Sequence, residues 1–144
     1  MIEQDTIKLL RECDAGAKMG IASIEDVVDQ VARAEFRKQL DQCRQDHLVL
    51  QQRIQQQLNR FHDQGKNPNP IAKGMSWIKT NVKLGIEGSD AAIAELMTDG
   101  CNMGIKSLNR YLNQYKAADE TSKDIAKQLI RLEDELAVNI RQYL

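Results

Sequence analysis

Two histidines and three cysteines are the side chains of this sequence best suited to bind a metal or to transfer a proton. A di-iron or di-manganese centre in a helical bundle uses a Glu from each of two helices and a Glu-x-x-His pair from each of the other two. The residues three positions before His47 and His62 are Arg44 and Asn59, so neither histidine belongs to such a pair. The sequence therefore predicts no standard di-metal site and no cofactor.

His47 nevertheless falls on a core position of its predicted helix, one turn after Cys43. Histidine and cysteine are ligands for soft metals, and a non-standard site would have to use Cys13, Cys43, Cys101 and His47. The simpler interpretation is a neutral core histidine bonded to a neighbour, with the cysteines packed as small apolar residues. We predict no metal site, and His47, Cys43 and Cys101 are the candidates for one.

Four glycines lie inside predicted helices as two Gly-x-x-x-Gly pairs, Gly16/Gly20 and Gly100/Gly104. A glycine in a helix interior costs about 1 kcal/mol relative to alanine, so a compensating contact is expected. Small residues one turn apart allow two helix backbones to approach closely. We predict a close antiparallel contact between the first and third helices at these glycines. It would leave no room for two metal ions, which need a separation of about 3.5–4 Å.

Apolar residues recur every three or four positions in four segments, the pattern of amphipathic helices. These segments cover about 4–30, 34–63, 90–116 and the stretch from the polar turn 118–122 to the C-terminus. In the second segment the predicted core positions, interrupted by Gln57, are Phe36, Leu40, Cys43, His47, Leu50, Ile54 and Phe61.

No Gly or Pro separates the first two segments, and we place the turn near Gln30–Ala34. The alternative, one helix of about 60 residues and ~90 Å, would need a coiled-coil partner along its length. Ser89 is the expected N-cap of the third helix.

Residues 64–89 join the two helix pairs, and Pro68 and Pro70 make their start the clearest break in the chain. A shorter helix is predicted at about 71–84, seated on the bundle by Trp77. A connector of this length can cross the bundle, so that the second and third helices are parallel and the first and third are antiparallel.

An internal repeat supports this arrangement. A shift of 84 residues superposes identical residues of the first and third helices, and it also aligns their buried positions. The identical pairs are Gly16/Gly100, Met19/Met103, Gly20/Gly104, Ile21/Ile105, Ser23/Ser107 and Gln30/Gln114. We therefore predict two helix hairpins, 4–63 and 90–144, related by pseudo-twofold symmetry.

Three stretches carry a resemblance to a known family: Leu10–Gly16 with Gly20, Gly74–Lys79 around Trp77, and Gly88–Glu95. The chain resembles the ferritin-like family catalogued as domain of unknown function 2383 over essentially 5–144. The resemblance implies a ferritin-like four-helix bundle in the bacterial cytoplasm and brings no established activity.

Composition limits the function classes. Twenty basic and 21 acidic residues leave a net charge of −1, which predicts binding neither to nucleic acid nor to an anionic membrane. The cysteines are odd in number and form no Cys-x-x-Cys pair, the N-terminus lacks a signal-peptide pattern, and no apolar run is long enough to span a membrane. These features favour the cytoplasm.

The sequence as a whole predicts an all-α protein of one domain, 1–144, that is not an enzyme. Its predicted role is that of a structural or protein-interaction module, a homo-oligomer such as a dimer, with or without a further protein partner. The basis is the missing ligand set, the neutral charge and a long second helix whose end projects beyond its neighbours. The alternative is a metal-binding protein or metal-dependent oxidoreductase with a non-standard site around His47.

Overall fold

The structure, a computed structural model, describes residues 2–67 and 89–144. Within these ranges the chain forms helices and connecting turns and no β-strand, so the predicted all-α class is confirmed. The four long helices are α1 (Ile2–Val27), α2 (Ala34–Asn59), α3 (Asp90–Gln114) and α4 (Glu120–Ile140). The helix predicted at 71–84 and the seat of Trp77 lie outside the described residues.

A short turn separates α1 from α2 at the predicted place. After a single 3-10 turn, Val28–Gln30, the chain is extended at Val31 and Arg33. The carboxylate of Asp90 accepts hydrogen bonds from the backbone N–H groups of Ala32 and Arg33 at 2.8 and 3.0 Å. Asp90 thereby provides acceptors for two backbone N–H groups just before α2. The N-cap residue of α2, Arg33, makes no capping hydrogen bond with its side chain.

Hydrogen bonds at the two ends of the bundle give the direction of each helix. At one end, Thr6 near the start of α1 accepts from the backbone N–H of Asp119, just before α4. Arg11 of α1 is paired with Asp63, just after α2. Asp90 bonds the α1–α2 turn at the opposite end. Helices α2 and α3 therefore run in the same direction, and α1 and α3 are antiparallel, as predicted.

The helices pack as a bundle. The most extensive contacts join α1 to α2 and α3 to α4; α4 also packs on α2 and α1, and α1 on α3. The buried apolar residues form two clusters, one above the other along the bundle axis. The first contains Ile24, Val27, Val31, Phe36, Leu40, Cys43, Ile93, Ala94, Met97, Cys101, Leu136, Ile140 and Tyr143. The second contains Leu9, Leu10, Cys13, Ala17, Leu50, Ile54, Leu58, Leu108, Ala118, Ile125, Ala126 and Leu129.

Helix α2 is shorter than predicted. It ends at Asn59 rather than near residue 63, and its 26 residues equal the length of α1. The core position after Ile54 is occupied by Leu58, which is fully buried, and not by Gln57. The series of core residues in α2 is therefore not interrupted. The partly buried Phe61 packs against the second cluster. The end of α2 therefore packs on the core and, contrary to the prediction, does not project beyond its neighbours.

Candidate functional site

A polar layer lies between the two apolar clusters. On the core-facing side of each helix, one residue follows the three-and-four spacing between the first cluster and the second. These residues are Gly20 in α1, His47 in α2, Gly104 in α3 and Glu133 in α4. On α2, the core residue before His47 is Cys43, in the first cluster, and the core residue after it is Leu50, in the second. Two helices thus contribute a glycine to this layer, and the other two contribute a titratable side chain.

His47 is buried, with 1% of its surface exposed, and both ring nitrogens meet partners. Its Nδ1 lies 2.8 Å from the backbone carbonyl oxygen of Cys43, one helical turn earlier, and 3.4 Å from the Cys43 thiol. Its Nε2 lies 2.9 Å from Oε1 of Glu133, 86 residues further along the chain. The predicted core position of His47 is confirmed, and its main partner comes from α4.

The hydrogen-bond partners favour an imidazolium ring. A backbone carbonyl only accepts hydrogen bonds, and a carboxylate does the same, so an N–H at each ring nitrogen satisfies both contacts. Burial by itself lowers the pKa of His47, but the hydrogen bonds to Cys43 and Glu133 and the negative charge of Glu133 outweigh it. The pKa is raised well above the usual 6.5. His47 and Glu133 are therefore an internal ion pair.

The glycines of the layer make room for this pair. A Cβ atom at Gly20 would lie 2.8 Å from Nε2 of His47 and 2.9 Å from its Cδ2. A Cβ atom at Gly104 would meet only Glu133, at 3.6 Å and beyond. We predicted that these glycines bring α1 and α3 together; instead, the groups nearest to them are side chains of α2 and α4. Around Gly16, no atom of the described residues lies within 4 Å of a Cβ position.

Between α1 and α3 the described residues border a cavity of about 460 Å³. All four helix-interior glycines, Gly16, Gly20, Gly100 and Gly104, line this cavity, and Glu133 forms part of its wall. Most of the remaining lining is apolar, with three methionines and Leu108 among its residues. At this level α1 and α3 therefore border a cleft that is partly open to solvent.

The cysteines are buried free thiols. Burial raises the pKa of Cys13 to about 12. Burial and the charge of the neighbouring Glu133 raise the pKa of Cys101 further. Cys43 and Cys101 thus flank the His47–Glu133 pair from α2 and α3, whereas Cys13 belongs to the second apolar cluster.

Three of the predicted candidate metal ligands, His47, Cys43 and Cys101, therefore lie close together, and Glu133 lies beside them. Nε2 of His47, the Glu133 carboxylate and the Cys101 thiol are the donors that a metal ion could use. No group of three or more His, Cys, Asp or Glu side chains in 2–67 and 89–144 is arranged to hold a metal ion. To bind a metal, Nε2 and Glu133 would also have to give up their mutual hydrogen bond. What the arrangement shown can do is hold or release one proton.

Glu133 was not singled out from the sequence as a candidate site residue. The spacing of the core residues in α4 nevertheless indicates that Glu133 faces the core. Glu133 lies four residues after Leu129 and three before Leu136, which is the same alternation that identified His47. In the structure Leu132 is half-buried, and Glu133 exposes 13% of its side chain.

A second buried carboxylate holds the chain that follows α2. Asp14 of α1 is fully buried; it accepts hydrogen bonds from the Gln55 side chain and from the backbone N–H of Lys66, and it pairs with Lys18 at 2.7 Å. Gly65 has a φ of +88°, and a Cβ there would collide with Asp14. Glycine is thus required for this close approach. The cluster is structural, because each carboxylate oxygen already has a partner.

Comparisons with known proteins add no assignment: no protein-family model matches the chain, and no curated protein is significantly similar to it. No helix within the described ranges is long and apolar enough to cross a membrane.

Proposed function

We propose that the protein is a non-enzymatic helical bundle that acts as a structural or protein-interaction module. The observation that carries this proposal is the closed His47–Glu133 pair. Helical bundles that use metals place their ligands on facing helices in the core. Here the corresponding core layer holds two glycines and two side chains that bond each other at 2.9 Å. Gly20 lies so close to the imidazole ring that even a Cβ atom would not fit between them.

The proposal includes a ferritin-like origin with a duplicated helix hairpin, and a location in the cytoplasm. The parallel course of α2 and α3 supports this origin, because it is the arrangement of bundles with one long crossover. The three buried free thiols support a reducing compartment. According to this proposal, the metal ligands of a ferritin-like ancestor were replaced by the His47–Glu133 ion pair.

Metal analysis of the chain tests the non-metal assignment. The protein is purified without a chelator or a metal-affinity tag, and its iron, manganese and zinc contents are measured beside those of the His47→Gln variant. We expect the same substoichiometric metal content in both. Near-stoichiometric metal in the parent that is lost in the variant would establish the alternative, a metal-binding protein or metal-dependent oxidoreductase centred on His47.

The interaction role is tested by the oligomeric state. We propose a homo-oligomer, a dimer in the simplest case, and expect light scattering to give a molar mass of twice 16.4 kDa at high protein concentration. A mass of one chain at every concentration, together with no specific protein captured from a lysate, would contradict a module whose function is association.

A further inference from the structure

The charged and titratable groups around His47 come from three of the four helices. Cys43 on α2 presents its carbonyl and thiol to Nδ1, and Glu133 on α4 faces Nε2. Cys101 on α3 lies near Glu133; burial and the charge of that carboxylate raise the pKa of its thiol. On the α1 side the ring meets the backbone of Gly20, which carries no titratable group.

We propose that His47 and Glu133 form a proton-dependent lock at the centre of the bundle, closed while His47 carries both ring protons and released when the Nε2 proton is lost. The lock joins α2 to α4 directly, and the ring packs on α1 at Gly20. The lock involves the same pair that supports the proposed function, but its test measures the protonation of His47, whereas the proposed function is tested by metal content and oligomeric state.

The Nδ1–H is held by the backbone carbonyl oxygen of Cys43, which can only accept, at 2.8 Å. When the ring keeps this proton and releases the one on Nε2 to solvent, two acceptors face each other. The Nε2 lone pair and Oε1 of Glu133, 2.9 Å apart, would then share no hydrogen, and a partly buried carboxylate would lack its counter-charge. The ring cannot retreat towards α1, because Gly20 already lies against it. Glu133 borders the cavity between α1 and α3, so the carboxylate can turn in that direction.

Release changes the charge at the cavity wall. The closed pair is neutral, since the imidazolium and the carboxylate cancel, and the open pair carries one negative charge. The raised pKa of His47 sets the direction of the switch. A group whose pKa is higher in the folded state than in the unfolded state stabilises the fold at low pH, and it loses that effect as the pH rises through the folded value. The lock therefore opens on the alkaline side.

Nitrogen-15 NMR of the full chain tests the proposal, because the ring nitrogens report their own protonation. We expect both nitrogens of His47 to remain protonated at pH values where a free imidazole, with a pKa of about 6.5, is neutral. The exposed His62 provides a reference ring in the same spectra. In Glu133→Gln the titration of His47 should shift to lower pH, whereas Glu135→Gln, at an exposed position of α4, should leave it in place.

An unprotonated Nε2 in the wild-type protein at neutral pH would overturn the proposal. So would a His47 titration that is the same in Glu133→Gln as in the parent. If Glu133→Gln does not fold, the wild-type spectra decide alone, since the protonation of both nitrogens is read without any substitution.

Discussion

At the scale of single residues, the helix-interior glycines are explained by the side chains opposite them. Gly20 and Gly104 occupy equivalent positions of the predicted internal repeat, yet a methyl group would meet very different surroundings at the two sites. At Gly20 it would overlap an imidazole ring fixed by two hydrogen bonds. At Gly104 it would make an ordinary van der Waals contact with Glu133.

Alanine substitution should separate these two glycines. Gly104→Ala is expected to be neutral or to stabilise the protein by up to about 1 kcal/mol, because helix propensity improves. Gly20→Ala gains the same propensity but must displace His47, and overpacking of a core typically costs about 1–3 kcal/mol. Urea unfolding of both variants measures the difference. Equal stabilities would show that His47 does not need the space at Gly20.

At the scale of the elements, local side chains cap the starts of α3 and α4, and a side chain from a distant part of the chain holds the turn before α2. Ser89 accepts a hydrogen bond from the backbone N–H of Ala92 and caps α3, as predicted. Asp119 does the same for α4 through Ser122. Asp90 is different, because its carboxylate lies in the first turn of α3 and bonds the turn between α1 and α2.

Substitution of Asp90 should loosen that turn. Asp90→Ala removes the acceptor for two backbone N–H groups and a favourable negative charge at a helix N-terminus. We expect a loss of about 1–2 kcal/mol in the free energy of unfolding, with faster amide exchange at Ala32 and Arg33. Glu95→Ala, at an exposed position of the same helix, is the control. Unchanged exchange at both amides would contradict the assigned role.

At the scale of the whole molecule, one polar layer divides the core into two apolar halves. A buried ion pair contributes little net stability compared with apolar side chains of similar volume, but breaking it leaves an uncompensated charge. Because Glu133 reaches His47 only when α2 and α4 are in register, the pair favours one alignment of these helices over neighbouring ones. This is the role of a buried polar group that fixes register.

A comparison of a single with a double substitution should reveal this asymmetry. Glu133→Ala is expected to destabilise the bundle by about 3–5 kcal/mol, because the buried His47 loses its partner and is left either as an unpaired imidazolium or as an imidazole with an unsatisfied Nε2. The double variant His47→Leu/Glu133→Leu should recover most of that loss, since neither charge remains. Equilibrium unfolding at neutral pH gives all the values, with Glu135→Ala as the surface control. A double variant no more stable than Glu133→Ala would show that the cost does not arise from the unpaired His47.

Much of this protein was determined by local sequence patterns. The three-and-four spacing of apolar residues located the four helices, and the same spacing placed His47 in the core. The cap at Ser89 also followed from nearby residues. These features depend on interactions within a few turns of one helix, which a single sequence displays directly. The turn near Gln30–Ala34, which no Gly or Pro marks, followed instead from the length of about 60 residues that an unbroken helix would have.

Only the tertiary structure decided which residues meet. The partnership of His47 with Glu133 spans 86 positions and depends on the rotation and register of α2 against α4, which periodicity does not specify. The same holds for Gly20: the sequence indicated that a helix-interior glycine needs a reason, and the nearest candidate was the repeated glycine of α3. The packed bundle instead places an imidazole ring against it, because side chains from all four helices compete for the same layer of the core.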